Sequence, residues 1–516
     1  MKKYYSVFIL SLIIFIGFLL RIFMLSSVPS GFFADEASIG VNAYSLLTTG
    51  KDEYGVSAPI FFKSFGDYRL PVPIYSNILF IALFGLNEFS VRFTAAFFGT
   101  LTIILIYLIT KELFKSETAA IFSAFFLAIS PWHIHFSRFG SEYIYFPFWF
   151  CLSLYLFLVA FKKPIFYILS FFSFGVSIYT YYPSIFITPS FLIFLIALFF
   201  KNISKKRTIF TFSVLTFLVI LIPLFNGLSE GVVQSRWQKV SVFKEVSLSQ
   251  SIYRISKTYL AHFSPNFLFI GGDIGYPGHF ITRFSVKGLG ELYWIQALLI
   301  ILGIILLWKR AKLRKVGLIL LTWFILYPLG SSLTGTDGGG PFSFRSIFGV
   351  ISFQILTALG VFFLIEIKPR LISASLLLLI VFISILSLSN YAYKYFFEYP
   401  MYSSNFWGWQ FGPRDIMGYF LTKRDIYTEM YLETKFNSGQ IFLKFYDPEN
   451  VCQNRCMMGD WNMYSPSKKQ LFAISYESMQ DIPPNLYFDL QKIIFYPDST
   501  PAFMIGELKD RHEQRS

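Results

Sequence analysis

The sequence predicts a polytopic α-helical membrane protein, with about eleven transmembrane helices followed by a C-terminal α/β domain on the non-cytoplasmic side, and three observations lead there. Of its 516 residues, 55% are hydrophobic, 21% aromatic and only 14% charged, at a mean hydropathy of +0.56. That leaves too little polar surface to cover a water-soluble globule of this size. Apolar stretches recur from the N-terminus to residue 388, and the basic residues between them gather in alternate loops.

The first stretch, residues 5–25, follows Met1-Lys2-Lys3. It is too long for the apolar region of a signal peptide and carries no A-x-A-like cleavage site, so it predicts a retained helix starting in the cytoplasm. Further stretches lie at 91–110, 118–132, 143–161, 165–181, 184–200, 208–225, 291–308, 316–330, 345–365 and 371–388. With Lys2 and Lys3 inside, strict alternation also places Lys111, Lys115, Lys162, Lys163, the basic clusters at 201–207 and 309–315, and Lys368 with Arg370 inside. These loops hold 17 Lys and Arg against Glu112, Glu117 and Glu366, which is the whole net charge of +14. Topology therefore accounts for the basic balance, and no nucleic-acid partner is called for. Counting the apolar residues 70–85 as a crossing would reverse every later loop, so they predict an interfacial or re-entrant helix.

The chain accordingly divides into a membrane module, 1–388, and an outer domain, 389–516. The membrane module has a first outer loop at 26–90 and a large one at 226–290. In the tail, 412–424 reads as a helix, and 439–446, 470–475 and 492–497 read as short strands. Cys452 and Cys456 are close enough in sequence to pair in an oxidising compartment, whereas Cys151 sits in an apolar run.

The first outer loop holds an adjacent acidic pair, Asp35-Glu36, near the outer bilayer surface. Carboxylates are costly to desolvate there, which suits a general base. Equally, Asp35 suits the N-cap of an amphipathic helix over 36–47, with Glu36 favoured in its first turn.

The pair is followed by Gly66-Asp67-Tyr68-Arg69-Leu70-Pro71 and Phe84-Gly85-Leu86-Asn87-Glu88-Phe89-Ser90-Val91-Arg92. Beyond these come Ser130-Pro131-Trp132-His133-Ile134-His135-Phe136-Ser137-Arg138 and Phe344-Arg345-Ser346-Ile347-Phe348-Gly349. In this order and topology, across residues 5–390, the set resembles the GT-C glycosyltransferases, in particular the bacterial family 39-like relatives of protein O-mannosyltransferases and lipid A aminoarabinose transferases. Phe93-Thr94 departs from the Leu-Pro usual at that position. The resemblance implies a GT-C-like fold and a plasma-membrane enzyme. Its reaction moves a sugar from a polyprenyl-phosphate carrier to an acceptor hydroxyl of a protein, lipid or cell-surface glycan. The transfer takes place on the outer face, with inversion and without a cofactor. It implies Asp35 as the base, with Glu36 orienting the acceptor or supporting the base. Arg69, Arg138 and Arg345, at outer ends of membrane segments, would stabilise the leaving phosphate; lipid headgroup contact is the plainer reading of each. Asp67 would position Arg69, and His133 and Glu142 would join the substrate-binding set.

A metal bound by His133, His135 and Glu142 is not expected, because H-x-H is not a helix-face spacing and related mannosyltransferase-type enzymes look metal-independent. The glycine-rich run at 335–341 lacks the strand before and the Lys-Ser/Thr after that a phosphate cradle needs, so it reads as a loop over the site. A transporter or flippase is the competing function, and an oligosaccharide ligase a nearer one. The former is disfavoured by the absence of an internal repeat and of charge at mid-membrane.

Overall fold

In the computed structural model, which describes residues 2–244, 246–335 and 340–511, a helix occupies every one of the apolar stretches read from the sequence. Among the described residues, six helical segments are long and apolar enough to cross a membrane, or seven if the bent pair Glu117–Ile129 and Pro131–Ser137 is one span. The difference from about eleven has physical causes. Ser184–Ser229 is one run of 46 residues holding two of the expected stretches, joined by the tight turn Ser204–Lys206 in the basic cluster. Tyr145–Ala160, Phe166–Ile178 and Trp294–Lys309 have 16, 13 and 16 residues, fewer than the roughly 20 of a straight crossing. Pro131 lacks an N–H to continue the preceding helix, and the chain bends there by 58°. Residues 70–85 contain the helix Pro71–Phe84, only 14 residues long.

Close packing between the helices Trp294–Lys309 and Val350–Ile365 depends on a glycine pair. A Cβ on Gly303 would lie 2.2 Å from the Leu356 carbonyl oxygen, and one on Gly360 would lie 1.9 Å from that of Leu299. Small residues at such a crossing let two backbones touch in lipid, where apolar side chains gain nothing by leaving solvent.

A hairpin in the first outer loop pairs β1 (Phe62–Ser64) with β2 (Asp67–Arg69). Farther on, the helical run Arg370–Ser403 continues past residue 388 and leads into a five-stranded sheet. Its strands are β3 (Glu429–Leu432), β4 (Cys456–Met458), β5 (Gln470–Ser475), β6 (Leu486–Phe495) and β7 (Pro501–Asp510), in the order β4-β3-β5-β7-β6. β3 runs parallel to β4 and β5; the other pairs are antiparallel. The helix Pro413–Lys423 lies where one was expected. The strand expected at 439–446 is instead the helix Gln440–Tyr446, because Ile441, Phe442 and Phe445 recur at helical spacing and all three are buried. Cys452 and Cys456 form a disulfide.

A single hydrophobic core joins this sheet to the first outer loop. Ala37 and Val41 of the helix Ala34–Thr49 share it with Ile416, Phe442 and Ile505, and the Phe32 and Phe445 rings lie 4.7 Å apart. Polar ties reinforce the contact: Arg414 pairs with Glu88, the Tyr446 hydroxyl donates to Glu88 at 2.5 Å, and Lys444 meets Glu53 at 2.8 Å. The loop bearing the acidic pair is thereby held by the tail.

Candidate active site

Adjacent residues on a helix point about 100° apart, so Asp35 and Glu36 face different surroundings. The helix begins at Ala34, and its N-cap is Phe33 in extended conformation rather than Asp35. The Phe33 N–H donates to Glu36 Oε2 at 3.1 Å, an arrangement that satisfies one free N–H of the first turn. Glu36 is fully buried, and Arg92 grips both its oxygens at 3.0 and 3.1 Å. The same guanidinium donates to the Pro29 and Gly31 carbonyls at 2.9 and 2.6 Å. Gly31 has φ +101°, and a Cβ there would fall 2.5 Å from the Trp409 carbonyl oxygen. This clamp fixes the turn into the helix. Glu36 is thus enclosed in the clamp and does not line the cavity that Asp35 faces.

Asp35, by contrast, is 27% exposed and accepts from Arg69 at 2.5 Å. The two-residue turn Phe65-Gly66, with positive φ at both positions, closes the hairpin and puts Asp67 and Arg69 on one face of β2. Arg69 donates from Nε to Ser64 Oγ at 2.9 Å and from its other terminal nitrogen to Glu142 Oε2 at 3.1 Å. Burial opposes the charge on Arg69, but Asp35 and Glu142 outweigh it and hold the guanidinium protonated above its ordinary range.

Asp67 does not position Arg69. It accepts from Arg236 at 2.9 Å and from the Ser235 hydroxyl at 3.2 Å, both on the helix Val232–Val240 of the large outer loop. Lys239, one turn on, donates to the Gly66 carbonyl. Arg236 is likewise held protonated, its burial outweighed by the bond to Asp67.

These groups line a cavity of about 310 Å³, in which Asp35, Asp67 and Glu142 face Arg69, Arg236 and Lys239. Tyr143, Tyr181 and Tyr182 form an aromatic wall, with the Tyr182 hydroxyl donating to the Tyr68 carbonyl at 2.7 Å. Burial pushes the Tyr182 phenol up, so it stays neutral. Tyr181, Tyr182 and Arg236 also border a second cavity of about 300 Å³, apolar over most of its lining, with Arg345 at its wall. The Arg345 guanidinium lies 4.6 Å from the Phe342 ring and 5.1 Å from Phe344, and donates to the Thr334 carbonyl.

Of the residues singled out in the sequence, Asp35, Asp67, Arg69 and Glu142 thus meet in one cavity, and Arg345 lies in the next. Arg138 is elsewhere: fully buried, it donates to the Leu20 and Arg21 carbonyls at the end of the first helix, each at 3.0 Å, and to Val28 at 2.7 Å. It is a helix C-cap, holding carbonyls that no N–H reaches. His133 accepts from Arg21 at 2.8 Å, and His135 bonds the Arg283 carbonyl at 2.7 Å. Neither lines the cavity that holds Glu142, which is bonded to Arg69 and Ser141. The glycine-rich run at 335–341 falls in part on residues 336–339, outside the described residues. Arg236 and Lys239 were not singled out. The signal for them was a short amphipathic segment in the large outer loop with Ser235, Arg236 and Lys239 on adjoining positions of one helical face.

The arrangement offers carboxylates able to accept a proton, guanidinium groups able to hold phosphate oxygens, and an apolar space beside them. Residues 69–225 match the family model for dolichyl-phosphate-mannose-protein mannosyltransferase. An uncharacterized protein of Aquifex aeolicus is 31% identical over 134 residues, which is 25% of this chain and 27% of that protein. Among solved structures, the whole chain resembles ArnT from Cupriavidus metallidurans bound to undecaprenyl phosphate, with TM-score 0.56, 12% identity and 98% of each chain covered. It also resembles the Archaeoglobus fulgidus oligosaccharyltransferase tethered to an acceptor peptide, with TM-score 0.54 and 15% identity over 89% of this chain and 64% of that one. The likeness read from the sequence motifs thus has two supports outside them: residues 69–225 match that family model, and the chain shares its fold with the two solved structures.

Proposed function

We propose that this protein is a GT-C glycosyltransferase, which transfers a sugar from a polyprenyl-phosphate carrier to an acceptor hydroxyl, with inversion, on the outer face of the membrane. The observation that carries the reading is the junction of the two cavities. A charged chamber containing Asp35 meets an apolar one across Tyr181, Tyr182 and Arg236, with Arg345 on the apolar side. A lipid-linked phosphate has the same division between a charged head and an apolar chain.

In this reading Asp35 takes the proton of the acceptor hydroxyl as its oxygen attacks the anomeric carbon from the face opposite the phosphate. The bond from that carbon to the phosphate oxygen breaks, and the polyprenyl phosphate leaves with the electron pair. Arg236 and Arg345 stabilise the charge that builds on it, a task suited to planar guanidinium groups. Arg69 keeps Asp35 and Glu142 oriented. The apolar chain of the carrier occupies the second cavity. Both cavities open among segments assigned outside by the charge pattern, so we place residues 1–388 as a membrane module with about eleven spans and 389–516 as an outer domain.

The test is transfer from a radiolabelled polyprenyl-phosphate sugar by the purified protein. Asp35→Asn keeps the shape of the side chain but accepts no proton. It is expected to fold and bind carrier while losing transfer by about two to four orders of magnitude, the weight of a positioned general base. Wild-type turnover in that variant would place the base elsewhere, at Glu142 or Asp67.

A further inference from the structure

The helices Trp294–Lys309 and Arg314–Leu326 are joined by the short turn Ala311–Leu313, and between them lies a groove of about 780 Å³. Ile304 and Leu307 of the first helix, Leu318 and Leu321 of the second, and the buried Leu356 line it. Gly317 lines it too, and a Cβ there would meet no heavy atom within 4 Å, so the missing side chain leaves the groove open. At one end stand Tyr259 and Phe263 of the large outer loop, the Tyr259 hydroxyl donating to the Ile325 carbonyl at 3.0 Å. At the other are Trp308, Arg310 and Arg314. From Arg314 to Ile325 the helix rises about 16 Å at roughly 1.5 Å per residue, close to half of a hydrocarbon core about 30 Å thick. The groove is thus as long as one leaflet is deep.

The charge at its basic end is not balanced by the protein. Residues 309–315 hold five Lys and Arg and no acidic residue. Arg310 pairs with Glu366. Lys309 lies 5.9 Å from the Phe363 ring and Lys315 4.9 Å from that of Phe199. Arg314 is exposed and, among the described residues, has neither an ion pair nor a hydrogen bond from its side chain. It also stands, with Lys315, in the first turn of a helix that has no acidic residue there and no side-chain cap. Positive charge at that end of a helix is unfavourable, and an anion beside it offsets the cost. Trp308, in the same lining, is 86% exposed, and an indole suits the headgroup level of a bilayer.

We propose that this groove holds an acyl chain of an anionic phospholipid of the cytoplasmic leaflet, with the lipid phosphate on Arg314. The proposal rests on the placement of residues 1–388 in the membrane with the 309–315 cluster inside, and it is independent of the transfer reading. Hydrocarbon fills an apolar groove that opens to a bilayer, and the length of this one suits a chain ending at the midplane. The cation at its open end selects the headgroup. A guanidinium matches phosphate oxygens, and a zwitterionic lipid would bring a second cation to an end that already has an excess. Basic clusters such as 201–207 attract anionic lipids by charge alone; the groove adds a seat for the chain.

The full chain, purified in a nonionic detergent, is titrated with dioleoyl phosphatidylglycerol, dioleoyl phosphatidylcholine and undecaprenyl phosphate, and bound lipids are counted by native mass spectrometry. One phosphatidylglycerol is expected to bind about fivefold or more tightly than phosphatidylcholine, the weight of a single cation at a membrane surface. Arg314→Gln is expected to abolish that preference. Gly317→Leu fills the groove and replaces glycine by a better helix former, so it is expected to melt no lower than wild type while losing the tight phosphatidylglycerol site. Equal binding of the two phospholipids, or a preference that survives Arg314→Gln, would overturn the proposal. Phosphatidylglycerol binding unchanged in Gly317→Leu would do the same, since it would mean attraction to the basic loop alone. A Gly317-dependent site that prefers undecaprenyl phosphate, or a dimer that Gly317→Leu dissolves, would give the groove to another occupant and overturn it as well. The readout needs no turnover: the expected pattern in a protein without transferase activity would uphold the lipid groove while overturning the transfer reading.

Discussion

Neighbouring residues of one type are given unlike tasks by their surroundings, and the acidic pair shows how. Glu36 is enclosed with Arg92 at zero exposure for both side chains, while Asp35 lines a cavity. Removing one partner of a buried ion pair strands the other charge. Glu36→Ala is therefore expected to lower unfolding stability by about 3–5 kcal/mol, read as a loss of thermal or denaturant midpoint in detergent, with turnover per folded molecule little changed. A fall in kcat at unchanged stability would restore an acceptor-orienting role. The arginines divide in the same way. Arg345→Ala is expected to remove about 2–4 kcal/mol of transition-state stabilisation while the melting temperature holds. Arg138→Ala uncaps the first helix and should lower the melting temperature instead. Nothing near Arg138 in sequence separates it from Arg345. Its partners are backbone carbonyls 110 to 118 residues away, and a carbonyl leaves no mark on the residue type that bears it.

At the level of elements, the site is a junction of pieces that are individually slight: a helix start, a three-residue-strand hairpin and the nine-residue helix Val232–Val240. Asp67 and Arg236 join the last two, so their effects on kcat/KM should not add. A double-mutant cycle with Asp67→Asn and Arg236→Gln is expected to give a coupling of about 0.5–3 kcal/mol; strict additivity would mean the two elements act separately. Asp35, Asp67 and Arg69 were legible in the sequence because they stand in ordered motifs with little freedom of spacing, and Glu142 as a carboxylate four residues beyond one of them. The contribution of the 232–240 helix was not, since a basic amphipathic turn in a long loop also describes any segment lying at a headgroup surface. The tail shows a different obstacle. Ile441, Phe442 and Phe445 fit a helical period, yet a seven-residue aromatic run has equal strand propensity, and only the core it shares with Val41 and Ile416 decides between them. β7 escaped notice because the run Ala502 to Gly506 is buried without interruption, as in an interior strand with both faces covered.

At the scale of the whole molecule, the arrangement of charge makes the strongest demand. If the basic clusters at 201–207 and 309–315 lie inside, the hairpin, the 232–240 helix and the tail must share the opposite side, and only then do Arg69, Arg236 and Asp35 lie on one face of the membrane. Topology is thus a condition of the proposed chemistry. It can be checked with an impermeant maleimide on intact cells, because the native thiols interfere little: Cys452 and Cys456 are joined to each other and Cys151 is buried. Lys205 and Ser467 are both exposed, so a cysteine at either is reachable from its own side. Ser467→Cys is expected to label on intact cells without permeabilisation, and Lys205→Cys only after the membrane is opened. Should Lys205→Cys label from outside, the basic loops face outward, against the positive-inside rule. Should Ser467→Cys stay protected while Lys205→Cys does too, the tail and the 201–207 loop share the cytoplasm. An odd number of crossings between them would then be excluded, and with it the outer placement of the sheet that supports Asp35.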